Sequence, residues 1–147
     1  MDPDNPVVRL CVKGVEAETE KRFDEARTLF ERAWKASTND VEACIAAHYI
    51  ARHQVTPDLT LWWNQIALAR ADAVRDERVR GFYPSLHLNL AQAHENLGQL
   101  AAARHHYVRA GKSLEVIDDL DHRFAYEDSV ARGLERTTDV QRAPTGS

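Results

Sequence analysis

Seven histidines, two cysteines and three tryptophans are the side chains of this chain best suited to chemistry. Histidines hold a metal or relay a proton when two or three converge. Neither His48 and His53 nor His87 and His94 have the i, i+4 spacing of a helical HExxH zinc motif. His105 and His106 are neighbours, so on a helix they point to different faces and do not share an ion. His94 continues the stripe of Leu86, Leu88, Leu90 and Ala91, and His122 stands alone. No metal site is expected.

The cysteines are equally quiet. Cys11 and Cys44 match no CxxC spacing and each sits within apolar residues at helical intervals, which points to buried thiols in a reducing compartment and not to a disulfide. Trp62 and Trp63 invite an aromatic binding edge, but adjacent rings on a helix diverge, so one is expected to pack inward and the other to lean on the preceding loop. Arg70, Arg75, Arg78 and Arg80 are offset by Asp72, Asp76 and Glu77, as on a solvated face. The chain has no phosphate-cradling Walker loop, no glycine-rich turn after a strand and no GxSxG elbow. Catalysis and a cofactor are therefore not expected.

The elements that must position these groups are helical. Of 147 residues, 44% are hydrophobic and 29% charged, the balance of one folded domain. A formal net charge of −4 with both signs interspersed gives no reason to expect nucleic acid or an anionic membrane as partner. The acidic N-terminus lacks the basic start and apolar run of a signal peptide, so a cytoplasmic address is expected. Pro6 suits a first helical turn, and Val8, Leu10, Cys11, Gly14, Val15 and Ala17 recur at helical steps before a polar stretch at 18–22. Phe23, Ala26, Leu29, Phe30, Ala33 and Trp34 mark a second stripe. Residues 37–40 break the chain and offer caps for a third helix through Ile45 and His48. Thr56-Pro57-Asp58 opens a fourth helix, expected to run through the charged stretch at 72–80 and end at Gly81 in a left-handed cap. Pro84 to Gly98, Leu100 to Ser113 and Asp119 to Arg136 complete seven helices, and residues 137–147 read as a disordered tail.

Two stretches share one pattern. Ala91, Gly98, Ala103, Tyr107 and Ala110 place a small residue, a helix-ending glycine and a small–aromatic–small series; Gly14, Ala26, Phe30 and Ala33 repeat it in the same register. Small residues let two helices approach closely, and the ring fills the space between them. This pattern resembles the tetratricopeptide repeat. The middle pair departs from it: His48 takes the small crossing position, about four residues are inserted, and Asn64, Leu68 and Ala71 are the best matches. The resemblance implies an all-α, right-handed α-solenoid of about three antiparallel helix pairs and a solvating cap helix, spanning residues 6–136.

Such arrays hold protein segments in the groove lined by the first helix of each pair. By register, the resemblance assigns Cys11, Val12 and Val15, then Ile45, Tyr49, Arg52 and His53, then Leu88, Asn89 and Gln92 to that groove. The carboxylate clamp of chaperone-binding members is not expected, because its positions hold Cys11, Val15, Ala46, Ser85 and Asn89. The resemblance thus implies a non-catalytic module that binds a protein or peptide segment. Two readings compete with it: a homodimer paired through exposed helix faces, and a small-ligand sensor using Tyr49, Arg52 and His53. The groove itself is either open to a partner or filled by the chain's own C-terminal helix or tail.

Overall fold

A computed structural model describes residues 2–138, and every regular element within them is helical. The contacts divide the chain into two compact units on either side of the Val79–Arg80 bond. The first unit holds α1 (Pro6–Thr19), α2 (Phe23–Ala36), α3 (Asp40–Ile50) and α4 (Pro57–Val74). The second holds α6 (Tyr83–Asn96), α7 (Leu100–Lys112) and α8 (Leu120–Thr137), and the short α5 (Glu77–Arg80) spans the division.

Caps decide where the helices begin. Asn5 accepts from the Val7 and Val8 amides and starts α1; Asn39, Thr56 and Asp119 do the same for α3, α4 and α8. Asn5 also donates through Nδ2 to Glu42 at 2.8 Å, tying the start of α1 to the start of α3. That hydrogen bond is the largest influence holding the Glu42 carboxyl below its usual range.

The turns α1–α2 and α6–α7 are built alike. After α1, the Arg22 amide reaches back to the Ala17 carbonyl; after α6, the Gln99 amide reaches back to His94, the six-to-one bond of a Schellman close. Each turn needs one left-handed residue. Gly98 supplies it with φ +73°, and Lys21 supplies it with φ 62° despite its side chain. Lys21 and Gly98 therefore extend the shared pattern, at the same offset that relates Gly14 to Ala91 and Phe30 to Tyr107.

In the first unit, α1 pairs with α2, α2 lies against α3, and α3 pairs with α4. Phe30 from α2 lies on Gly14 of α1 so closely that a Cβ there would sit 2.3 Å from its ring. Ala26, Phe30 and Ala33 are wholly buried, as are Ala67 and Ala71 of α4. In the second unit, α6 and α7 pair and α8 closes over α7. Ala103, Tyr107 and Ala110 are wholly buried, and Tyr107 meets Gly133 of α8 as Phe30 meets Gly14. The Tyr107 hydroxyl donates to Glu95 at 2.6 Å, and Arg136 bonds the same carboxylate at 2.6 Å. Burial, then Glu95, pushes the Tyr107 phenol up to about 12.

Several expectations change. α4 stops at Val74, with Arg75 in the left-handed conformation (φ 52°), and Gly81 does not adopt that conformation. The cause is Asp76, whose carboxylate accepts from the Arg78 amide at 2.9 Å and starts α5 afresh. The described residues thus hold eight α-helices where seven were expected. Phe23, placed in the core stripe, is half exposed and rests against His53. Thr137, assigned to the tail, ends α8 and is buried, with its hydroxyl bonded to the Gly133 carbonyl at 2.8 Å. The rest of the expected tail, from residue 139 onward, lies outside the described residues.

Candidate functional site

The apolar faces of α1 and α3 are not fully used in pairing with α2 and α4. On α1, Val8, Cys11, Val12 and Val15 fall at i, i+3, i+4 and i+7, one stripe two turns long. On α3, Ile45 and Tyr49 are one turn apart. These six side chains and Glu16 line a cavity of about 260 Å³ in the first unit. Cys11 and Ile45 are buried in its floor, and Val12 stands 52% exposed at its lip.

One wall is set by stacked rings. Phe30, pinned on Gly14, stacks on Tyr49 at 5.1 Å and 16°, and the Arg52 guanidinium lies over the Tyr49 ring, 5.5 Å from its centroid. Arg52 and His53 both reach Glu18 on α1: His53 Nε2 is 2.8 Å and Arg52 3.2 Å from Oε2. The Glu18 side chain is largely buried, and its Oε1 has no hydrogen-bond partner among the described residues. Glu18 thus fixes the turn Ala51–His53 against α1, and through Arg52 it helps hold Tyr49 in place.

Burial pushes the Cys11 and Cys44 thiols up to about 12, far from the thiolate that a nucleophile needs. Burial, reinforced by Cys11, also raises the Tyr49 phenol. His48 is lowered to about 4 by burial and then by the Arg52 charge, so it is neutral at pH 7. The floor is therefore apolar and uncharged, with Glu16 at the margin and Arg9 and Lys13 on the exposed α1 ridge beside Val12.

Of the ten residues assigned by register, Cys11, Val12, Val15, Ile45 and Tyr49 come together in this cavity. Arg52 and His53 stand beside it in the Glu18 pair. Leu88, Asn89 and Gln92 belong to the second unit, where Leu88 packs into the core with Ala91, Tyr107 and Val130, Asn89 is half-buried and Gln92 is exposed. Sequence reasoning missed Val8, Glu16 and Glu18. Val8 was visible one turn before Val12, and Glu18 continues the row Cys11–Val15 by three residues; the long-range approach of Arg52 and His53 left no local trace.

Three histidines of the second unit gather: His87, His94 and His106. Nδ1 of His87 and Nδ1 of His106 are 3.0 Å apart, with ring centroids at 5.3 Å. That separation suits an N–H···N bond in which one ring nitrogen carries the proton and the other accepts it. His94 stacks on His106 at 5.5 Å and bonds Gln99 through Nδ1 at 2.7 Å, so it is half-buried and not the core residue expected. No group of three or more metal-ligating side chains assembles among the described residues. Trp63 turns inward and meets Trp34 edge-on at 5.1 Å, whereas Trp62 is 52% exposed and lies edge-on to Trp63. Leu59, one turn before Trp62 on α4, and Val55 ahead of that helix are exposed as well. No described helix is long and apolar enough to cross a membrane.

Comparisons with protein-family models, with curated proteins and with solved structures give no match to this chain.

Proposed function

We propose that this protein is a non-catalytic binding module of tetratricopeptide type, and that the α1–α3 groove holds a short segment of another protein chain. The observation that carries this reading is the uncovered two-turn apolar stripe of α1, walled by Ile45 and Tyr49 around about 260 Å³. That volume lies below the roughly 300–1,000 Å³ of small-molecule sites, so the groove suits a few side chains projecting from a segment better than an enclosed ligand. The i, i+3, i+4, i+7 spacing on α1 fits the apolar anchors of an amphipathic helix laid alongside it.

The repeat reading is supported by the shared register of Gly14, Lys21, Ala26, Phe30 and Ala33 with Ala91, Gly98, Ala103, Tyr107 and Ala110. It is supported as well by the pairing of α1 with α2, α2 with α3 and α3 with α4. A right-handed solenoid is the arrangement such hairpins build when they stack. The two unbridged, buried thiols suit a reducing, cytoplasmic compartment.

A display library of helical segments selected on the wild-type protein tests the proposal. Val12 is exposed, so Val12→Glu should fold normally while placing a charge at the groove lip. Selected segments should bind wild type and lose at least ten-fold affinity for Val12→Glu and Tyr49→Ala. Segments that bind all three proteins equally would place recognition elsewhere and end this reading.

A further inference from the structure

Two apolar surfaces are left uncovered by the described residues, and their chemistry is complementary. The first is the α1–α3 groove, with Val12 at its lip and the cations of Arg9 and Lys13 one turn apart on the adjoining ridge. The second is the start of α8, where Leu120 and Phe124, one turn apart, are 60% and 59% exposed. Beside them stand the exposed carboxylates of Asp118 and Asp121. Arg9, Lys13, Asp118 and Asp121 have no ion-pair partner among the described residues.

We propose that the start of α8 in one copy of this protein docks into the α1–α3 groove of a second copy. Leu120 and Phe124 enter the apolar cavity as the i, i+4 anchors of an amphipathic helix. Asp118 and Asp121 approach Arg9 and Lys13, and this pairing of opposite charges selects the α8 end over the exposed Val55, Leu59 and Trp62, which have no comparable acidic cluster. Glu16, the one acid lining the groove, lies a turn beyond Val12 and is left facing the apolar part of α8 or solvent. The contact is heterologous, joining different surfaces of the two copies, so it extends head to tail unless the geometry closes it. Two anchors bury little area, which makes the association weak and dependent on concentration and salt. The inference rests on the groove reading above, but the two can fail separately.

Sedimentation velocity and light scattering from low micromolar to several hundred micromolar protein give the test, using wild type, Val12→Glu and Phe124→Glu. Both substitutions fall on exposed side chains, and circular dichroism should report folded protein for each. The wild-type mass should climb above the monomer with concentration and fall back in high salt. Each variant alone should stay monomeric. An equimolar mixture should form a one-to-one complex and grow no further, because Val12→Glu retains a competent α8 and Phe124→Glu a competent groove. A wild type that stays monomeric throughout overturns the inference, as does a mixture that fails to pair, or association that survives both substitutions. If wild type is monomeric yet still binds selected segments through Val12, self-docking is refuted and the groove reading stands. If segment binding is also indifferent to Val12, both are refuted.

Discussion

Replacing Gly14 by alanine puts the packing of the first unit under its sharpest strain. An added Cβ would lie 2.3 Å from Phe30 Cε1 and 2.7 Å from both Cδ1 and Cζ. The ring must therefore retreat by about 1 Å to reach ordinary contact. It has little room: Phe30 is wholly buried, with Tyr49 stacked at 5.1 Å and His53 at 5.9 Å. Overpacking of a filled core costs roughly 1–3 kcal/mol, while alanine recovers about 1 kcal/mol of helix propensity. With the ring pinned, the upper part of that range applies, and the net loss should be about 1–2 kcal/mol. All three tryptophans, Trp34, Trp62 and Trp63, lie in the first unit, so tryptophan fluorescence in urea follows that unit alone. Gly14→Ala should lower its midpoint. Gly111→Ala, which meets only Val130 Cγ1 at 3.3 Å in the second unit, should leave it unchanged. Because Phe30 supports Tyr49, Gly14→Ala should also weaken segment binding. A Gly14→Ala protein as stable as wild type would refute the account of how α1 and α2 are held together.

Other consequences follow from single residues. Lys21 holds a left-handed conformation at φ 62°, so Lys21→Gly should raise the fluorescence-detected urea midpoint by the equivalent of about 1 kcal/mol; a lowered midpoint would contradict the turn geometry. Burial lowers the His48 pKa in the folded chain to about 4, from the 6.5 ordinary for histidine. The unfolded chain therefore binds more protons between those values, and stability should fall as pH drops from about 6.5 toward 4. The full shift corresponds to about 3 kcal/mol, reduced to roughly 1–2 by the solvent that reaches this half-buried ring. His48→Gln should flatten the pH dependence of the first unit's urea midpoint over that window, and an unchanged slope would argue against the burial assigned to His48. Cys11 and Cys44, buried and held protonated, should react with a thiol reagent in native buffer far more slowly than in denaturant; rapid native labelling of either would mean that the floor of the groove is open.

The sequence disclosed whatever depends on neighbours along the chain. Capping by Thr56 and the left-handed turn at Gly98 are local signals, and the small–aromatic–small series made Phe30 and Tyr107 recognisable as rings between closely packed helices. Effects that depend on competing side chains escaped. Asp76 interrupts α4 because its carboxylate captures the Arg78 amide, which helical periodicity does not register. Lys21 occupies a position where a glycine would have announced the turn. The groove was half legible: the α1 stripe and its α3 wall follow from register, whereas Leu88 has the same apolar character and packs inward against Tyr107. Glu18 was read as part of a polar helix end, since nothing local joins it to Arg52 and His53.

The measurement that bears most directly on the groove is methyl-labelled NMR of the wild-type protein during titration with a selected segment. Perturbations should concentrate on Val8, Val12, Val15 and Ile45, with Val74 and Val130 left in place. Shifts that instead centre on Val55 and Leu59 beside Trp62, with the α1 valines unmoved, would contradict the assignment of the binding site to α1 and α3.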